Sequence, residues 1–144
     1  MNKWDKRYLD LAMLVASWSK DPSTKVGSCI IDENGNPVAF GFNGFARGLE
    51  DTDERLNDRT FKYAHTLHAE ENCMLFSNRT YLDGCTIYIS HPPCPKCLSI
   101  MKQRKLMKVV CYEGGEDFKS RWGDNSNTLA LSEELGIEVK IYQT

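Results

Sequence analysis

The sequence has no run of about 18 apolar residues, the length that a helix needs to cross the hydrocarbon core of a membrane. Its first residues include Asp5 and Asp10, and they lack the apolar stretch and small-residue cleavage site of a secretory signal. No membrane partner is therefore expected, and the predicted location is the cytoplasm.

A continuous basic stripe, which proteins that hold long nucleic acids usually carry, is also missing. Lys and Arg number 18 against 20 Asp and Glu, so the formal net charge is −2. The densest basic cluster, residues 102–108, is interrupted by apolar residues at helical spacing and is interpreted as a solvated helix face. No nucleic-acid polymer is expected as a partner. The length of 144 residues and the 41% hydrophobic content are typical of one globular domain, residues 1–144.

Cysteine is absent between Cys29 and Cys73, although the chain has six cysteines. In a reducing compartment disulfides are not expected, and a close pair such as Cys94 and Cys97 favours metal binding or redox chemistry. Most of the other cysteines are predicted to be small buried hydrophobes within strands. These are Cys29, Cys85 and Cys111.

Hydrophobic periodicity and turn residues predict an α-β-β-loop-α-β-α-β-α-β order. The helices are predicted at residues 3–19, 68–77, 94–103 and 126–135, and the strands at 26–32, 38–42, 86–90, 107–112 and 137–142. Residues 43–66 are polar and lack clear periodicity, so part of them is expected to be loop that orders with a ligand. The alternation in the second half predicts parallel strands with helices on both faces of the sheet.

One constellation of residues carries recognisable chemistry. Cys94 and Cys97 lie three residues apart at the start of a predicted helix, so both thiolates share a face and point at one ion. His68 opens another predicted helix. One His with two Cys suits tetrahedral Zn²⁺ and leaves a fourth position open, as catalytic zinc sites do. Glu70, two residues after His68, is placed to move protons; a His-x-Glu with a later Pro-Cys-x-x-Cys is the signature of zinc deaminases.

Two non-catalytic interpretations compete with this one. A redox pair usually follows a first strand rather than standing late in the chain behind a His-x-Glu. A closed structural zinc site needs a fourth ligand, and His65 and His91 are the only other histidines.

The whole chain resembles the deoxycytidylate (dCMP) deaminases of the cytidine deaminase-like superfamily, and its length is similar to that of the short bacteriophage forms. Four blocks carry the resemblance: Ser-Lys-Asp-Pro-Ser-Thr-Lys-Val-Gly at 19–27, Gly-Phe-Asn-Gly at 41–44, His-Ala-Glu-Glu-Asn at 68–72 and Pro-Cys-Pro-Lys-Cys at 93–97. It implies an α/β fold, a three-layer α/β/α sandwich around a mixed five-stranded sheet. It also implies hydrolysis of dCMP to dUMP and ammonia, which supplies dUMP for thymidylate synthesis, in the host cytoplasm if the chain is of phage origin.

The resemblance implies roles for individual residues. His68, Cys94 and Cys97 hold one Zn²⁺ per subunit, and Glu70 protonates N3 of the base and then the leaving amine. Asn43 holds the deoxyribose, and the Ala69 amide meets the base carbonyl. Further substrate contacts are implied for Thr24, Lys25, Val26, Ser90, His91 and Pro92. Charge alone makes Lys25, Lys119 and Arg121 candidates for the substrate phosphate, and Tyr112 and Trp122 are candidates for packing near the base or sugar.

The family also implies regulation. Its members are commonly oligomers, often hexamers, and many are activated by dCTP and inhibited by dTTP, with Mg²⁺ on the triphosphate. The residues implied for this site are Gly41, Phe42 and Gly44, with Phe42 standing where relatives have Tyr. The charge of Arg47 makes it a further candidate for the triphosphate. The two glycines would allow a tight turn beside a phosphate, or they mark only the end of a strand followed by a turn.

Three alternatives stay open. A tRNA adenosine deaminase-like enzyme shares the metal signature but needs a basic surface. A dual dCMP/dCTP deaminase requires only a pocket open at the phosphate end. A non-catalytic, zinc-stabilised nucleotide-binding subunit has no need of Glu70.

Overall fold

The protein is described by a computed structural model that covers residues 1–116, 118–119 and 126–144. Its elements are α1 Lys3–Ala16, β1 Gly27–Ile31, β2 Pro37–Phe42, β3 Gly44–Phe45, α2 Asp53–Leu56, α3 Arg59–His65, β4 Thr66–Leu67, α4 Ala69–Phe76, β5 Thr86–Ile89, α5 Pro95–Gln103, β6 Lys108–Tyr112, α6 Ser126–Leu135 and β7 Glu138–Tyr142. Within the described ranges, none of these helices has the length and apolar content to traverse a bilayer.

Five strands form a mixed sheet in the order β2-β1-β5-β6-β7. β1 and β2 form an antiparallel hairpin whose turn contains Gly35 at φ 83°, a conformation that glycine adopts without strain. β5 is antiparallel to β1, whereas β5, β6 and β7 run parallel. The predicted mixed sheet, with its parallel second half, is confirmed.

Helices cover both faces of the sheet, so the predicted three layers are also confirmed. Along each strand alternate side chains point to opposite faces. One face, which includes Ile87 and Val109, packs against α4, α5 and α6. The other face, which includes Tyr88 and Val110, packs against α1. The strand cysteines Cys29 and Cys111 are buried as expected, and so is Cys85, which immediately precedes β5.

Helix α1 differs from its prediction in length and in its buried face. It ends at Ala16 rather than at residue 19. The Ser19 hydroxyl donates to the Asn43 carbonyl at 2.9 Å, and this bond draws the chain toward the end of β2. Helical spacing of the apolar residues predicts a buried face that includes Trp4 and Trp18, but both indoles are about half exposed, whereas Leu9 is fully buried.

The segment 43–66, predicted to be partly loop, contains two short helices and a two-stranded ladder between β3 and β4. Thr52 caps α2 by accepting from the Arg55 amide, and Asp58 caps α3 by accepting from the Phe61 amide. These capping side chains satisfy amides that have no partner within the helix. The segment is therefore ordered up to His68, which directly follows α3 and β4 in the chain.

Candidate active site

Two helix N-termini bring three ligand atoms together. His68 is the N-cap of α4, Cys94 is the N-cap of α5, and Cys97 lies in the first turn of α5. The His68 Nδ1 and the two sulfur atoms all lie within 4.8 Å of one another, and in the described part of the chain no fourth His, Cys, Asp or Glu joins them. The sequence prediction of a three-ligand centre agrees with this geometry.

The spacing of these atoms fits a zinc ion. The His68 Nδ1 lies 3.3 Å from the Cys97 Sγ and 3.5 Å from the Cys94 Sγ. Tetrahedral Zn²⁺, with Zn–N of about 2.0–2.1 Å and Zn–S of about 2.3 Å, places a nitrogen and a sulfur ligand about 3.6 Å apart. The donor set and its spacing therefore suit Zn²⁺ with one open coordination position.

The two thiols differ in acidity. The Cys97 thiol donates to the Cys94 sulfur, and this hydrogen bond lowers the pKa of Cys94 and raises the pKa of Cys97. The Cys97 backbone amide also donates to the Cys94 Sγ at 3.4 Å. One thiolate is thus stabilised by the protein alone, and a divalent cation is the partner that stabilises the second.

Glu70 is buried beside these ligands without being one of them. Its side chain is only 4% exposed. Burial raises the pKa of its carboxyl group to about 7, although the charge of His68 opposes that shift. A buried carboxyl group with a pKa near neutrality exchanges protons readily, which is the property that a general acid–base needs.

The His68 backbone is fixed by a capping interaction. Its backbone amide donates to the Glu71 Oε1 at 3.0 Å. Glu71 is the third residue of α4, so this bond is the one that a capping box makes to its N-cap. Glu71 therefore fixes the start of the helix whose N-cap is the metal-ligand candidate His68.

Gly41 allows α4 to lie directly against the sheet. A Cβ on Gly41 would be 2.4 Å from the Ala69 carbonyl oxygen and 2.5 Å from the Cys73 amide nitrogen. The Ser28 hydroxyl donates to the same Ala69 oxygen at 3.0 Å. Neither Gly41 nor Gly44 has a positive φ. The predicted tight turn is therefore wrong for this pair, and close helix–strand approach explains Gly41.

We expect Gly41→Ala to destabilise the fold by about 1–3 kcal/mol, because overpacked backbone has to move. The shift displaces Ala69 and its neighbour His68, so zinc affinity falls as well. Chemical denaturation and competition with a zinc chelator measure the two effects. Gly115→Ala is the matched control, since a Cβ there meets no atom of the described residues within 4 Å. Equal behaviour of the two variants would contradict this account.

A pocket of about 470 Å³ opens onto the three ligands and Glu70. Small-molecule sites typically span about 300–1,000 Å³, so the cavity suits one nucleotide. Most of the predicted substrate residues line it, namely Thr24, Val26, Asn43, Ala69, His91 and Pro92. Lys25 and Ser90 do not line it. The Lys25 ammonium donates to the Ser19 carbonyl at 2.5 Å, and the Ser90 Oγ accepts from the Gly27 amide.

Asn43 joins the segments that form one side of this pocket. Its Oδ1 accepts from the Val26 amide at 2.9 Å, and its Nδ2 donates to the Thr24 carbonyl at 2.8 Å. The side chain is 7% exposed. Asn43 therefore holds the Thr24–Val26 edge in place while it faces the cavity.

Several lining residues were missed by the sequence reasoning. They include Asp21, Arg59, Lys62, Phe118 and Thr128. Phe118 packs on His91, with ring centroids 4.7 Å apart, and the Thr128 hydroxyl donates to the Pro93 carbonyl at 3.1 Å. Asp58, a capping residue in the sequence, was a signal for the helix that carries Arg59 and Lys62.

Other candidates lie elsewhere. Tyr112 is buried against α1, so it belongs to the core. Lys119 forms an ion pair with Glu113 at 3.4 Å and does not line the pocket. Arg121 and Trp122 lie outside the described residues.

The four residues implied for regulation do not all lie together. Phe42 and Gly44 line a second depression of about 250 Å³, which shares Asp21, Asn43 and Lys62 with the first pocket. Gly41 lies beneath α4, as described above. The Arg47 guanidinium lies over the Phe76 ring, 4.9 Å from its centroid.

Comparison with known proteins agrees with this geometry. The family model for the cytidine and deoxycytidylate deaminase zinc-binding region matches residues 2–113 of the sequence. An uncharacterized deaminase from the luxG 3′ region of Aliivibrio fischeri is 45% identical over 96% of this chain and 93% of its own length. The deoxycytidylate deaminase of Homo sapiens is 32% identical over 75% of this chain, and the match spans 64% of the human protein.

A solved structure extends the comparison to the fold. The dCMP deaminase of cyanophage S-TIM5, in complex with dCMP and dUMP, matches with a TM-score of 0.76 and 25% identity, covering 99% of each chain. The match over the whole length accords with the similarity to short phage forms. The chain therefore belongs to the family of zinc-binding cytidine and deoxycytidylate deaminases.

Proposed function

We propose that residues 1–144 form one catalytic domain that hydrolyses dCMP to dUMP and ammonia. The observation that carries this proposal is the buried carboxyl group of Glu70 beside the His68, Cys94 and Cys97 ligand set, at the wall of a nucleotide-sized pocket. The family relationship supports the reaction class. The S-TIM5 enzyme, whose structure was solved with dCMP and dUMP, supports the substrate.

The chemistry follows from the positions of the protein groups. His68, Cys94 and Cys97 would hold Zn²⁺, which would act there as a Lewis acid that activates water at neutral pH. Glu70 accepts one proton from the attacking water and delivers it to N3 of the cytosine. It then accepts the second proton from the new hydroxyl group on C4 and delivers it to the exocyclic nitrogen as the C4–N bond breaks. One water is consumed, and the amino group leaves as ammonia.

Backbone and side-chain groups orient the substrate in this proposal. Ala69 is the first residue of α4, where amides have no partner within the helix, and its N–H donates to the base carbonyl. Asn43 contacts the deoxyribose from the Thr24–Val26 edge that it braces. His91 and Pro92 form part of the pocket wall.

Regulation, assembly and biological context form the second layer of the proposal. The activator dCTP and the inhibitor dTTP, each with Mg²⁺, would bind in the depression beside Phe42 and Gly44. The enzyme would be a hexamer or another homo-oligomer. Because this depression shares Asp21, Asn43 and Lys62 with the first pocket, a ligand there would act on the substrate pocket directly. The dUMP formed would enter thymidylate synthesis in the cytoplasm.

Steady-state deamination tests the substrate assignment. We expect rapid turnover of dCMP, measured beside dCTP, cytidine and a tRNA anticodon stem, each with and without dCTP or dTTP plus Mg²⁺. Stimulation by dCTP and inhibition by dTTP would support the regulatory part. Turnover of another substrate alone would overturn the specificity, and zinc-loaded protein that is silent on every substrate would favour a non-catalytic subunit.

A further inference from the structure

The pocket has a second group of lining residues, away from the metal ligands in the chain. The loop at 21–24 contributes Asp21 and Ser23, and α3 contributes Arg59 and Lys62. This part of the wall contains two cations and one carboxylate. It therefore carries a net positive charge on the surface that encloses the ligand.

The Lys62–Asp21 pair fixes the loop to α3. The Lys62 Nζ donates to the Asp21 Oδ1 at 3.0 Å, and the two side chains are only 10% and 13% exposed. The same Oδ1 accepts from the Ser23 amide at 2.8 Å and the Thr24 amide at 3.3 Å. Lys62 also donates to the Ser23 Oγ at 3.3 Å. The Lys62 ammonium is thus occupied in holding the loop against α3.

Arg59 makes no comparable contact with any residue that the structure describes. It lies three residues before Lys62 on α3, so the two side chains share a face of the helix. Arg59 is exposed, and the structure records no hydrogen bond or ion pair for its guanidinium within the described ranges. A solvated guanidinium at the wall of a cavity is available to an anionic ligand.

We propose that Arg59 binds the 5′-phosphate of the nucleotide, on a helix held in position by the Lys62–Asp21 pair. This inference rests on the proposed function, because it assigns one end of that substrate. The planar guanidinium offers two parallel N–H donors to phosphate oxygens, a geometry that Lys lacks. The two other candidates that the structure describes are engaged elsewhere, Lys25 with Ser19 and Lys119 with Glu113.

The test compares Arg59→Gln with wild type on ligands that differ only by the phosphate. Turnover is measured with dCMP and with deoxycytidine, and calorimetric titration gives the affinities of dUMP and deoxyuridine. We expect kcat/KM for dCMP and the affinity for dUMP to fall roughly 10- to 100-fold, the loss expected for hydrogen bonds to a charged group. The values for deoxycytidine and deoxyuridine should remain those of wild type.

Two further variants sharpen the experiment. Arg55→Gln removes the same charge from the same segment outside the pocket, where the guanidinium donates to the Glu50 carbonyl, and it should behave as wild type. Arg59→Lys retains the charge but loses the paired donors, so it should recover part of the dUMP affinity. Zinc content checks that each variant is folded.

The outcomes separate this inference from the proposed function. Wild-type turnover of dCMP with unchanged dUMP affinity in Arg59→Gln would overturn the phosphate assignment alone. Equal losses on dUMP and deoxyuridine would also overturn it, because Arg59 would then act on the whole site. A third outcome is that wild type does not deaminate dCMP but binds dUMP more tightly than deoxyuridine, and that Arg59→Gln loses this preference. That result would overturn the proposed reaction and support the phosphate site.

Discussion

Glu70→Gln is expected to lower kcat for dCMP by about 10²–10⁴-fold, the usual contribution of a positioned general acid–base. The amide has nearly the shape of the carboxyl group, so packing at this buried position is kept. It accepts no proton from the nucleophile and delivers none to N3. Because Glu70 lies outside the ligand set, the zinc content of the variant should equal that of wild type.

Stability should move in the opposite direction to activity. Burial of an ionised carboxylate is unfavourable, and this is why burial raises the pKa of Glu70. The neutral amide removes that cost, so thermal unfolding should occur at the same temperature as in wild type or higher. An active site that is less stable than its inactive variant is the common trade-off between function and stability.

A matched carboxylate-to-amide change serves as the control. Glu134 is exposed on α6, and Glu134→Gln should leave both turnover and zinc content unchanged. Full activity in Glu70→Gln would remove Glu70 from the mechanism. Loss of zinc in that variant would instead make Glu70 a metal ligand and contradict the geometry described above.

The metal centre was predictable from sequence because its chemistry leaves few choices. Cys94 and Cys97 are three residues apart behind a proline pair, which predicts both a helix start and a shared face. The strands of the core were predictable for a similar reason, since β-branched runs bounded by turn residues have one simple interpretation. Both signals are local, and the structure confirms the helix start at Cys94 and the five strands of the sheet.

The second part of the pocket wall was not predictable in the same way. α3 has seven residues and α2 has four, too few for a hydrophobic period or for stability in isolation. Lysines and arginines are mostly solvated, so charge alone favoured Lys25 and Lys119 as much as Arg59. Only the tertiary position of α3, set by the Lys62–Asp21 pair, separates Arg59 from them.

Gly41 shows a different limit. Gly41 and Gly44 flank Phe42 and Asn43, and the pair was interpreted as a tight turn. The structure places it in β2 under the first turn of α4, a contact between residues 41 and 69 that no local pattern indicates. Trp4 and Trp18 illustrate the same point, because the helical period of α1 could not reveal which side of the helix the sheet would cover.

Cys97→Ser is expected to reduce bound zinc from one per chain to nearly none and to abolish turnover. Two protein ligands remain, and a hydroxyl group is a poor substitute for a thiolate at zinc. Because the metal binds the folded chain, its loss also removes stability, about 4 kcal/mol when free zinc is about 1,000-fold above the Kd, which corresponds to a Tm lower by roughly 10 °C. Elemental analysis, a colorimetric zinc assay and thermal unfolding measure these changes.

The control must separate the loss of a ligand from the loss of a buried sulfur. Cys97 and Cys29 are both fully buried, but Cys29 lies on the other face of the sheet, against α1. Cys29→Ala should therefore cost about 1–2 kcal/mol of stability, within the ordinary range for a core truncation, and keep both zinc and activity. Wild type with two zinc ions per chain would require a second site. Zinc retained in Cys97→Ser, or lost in Cys29→Ala, would mean that the His68, Cys94 and Cys97 cluster is not what holds the metal.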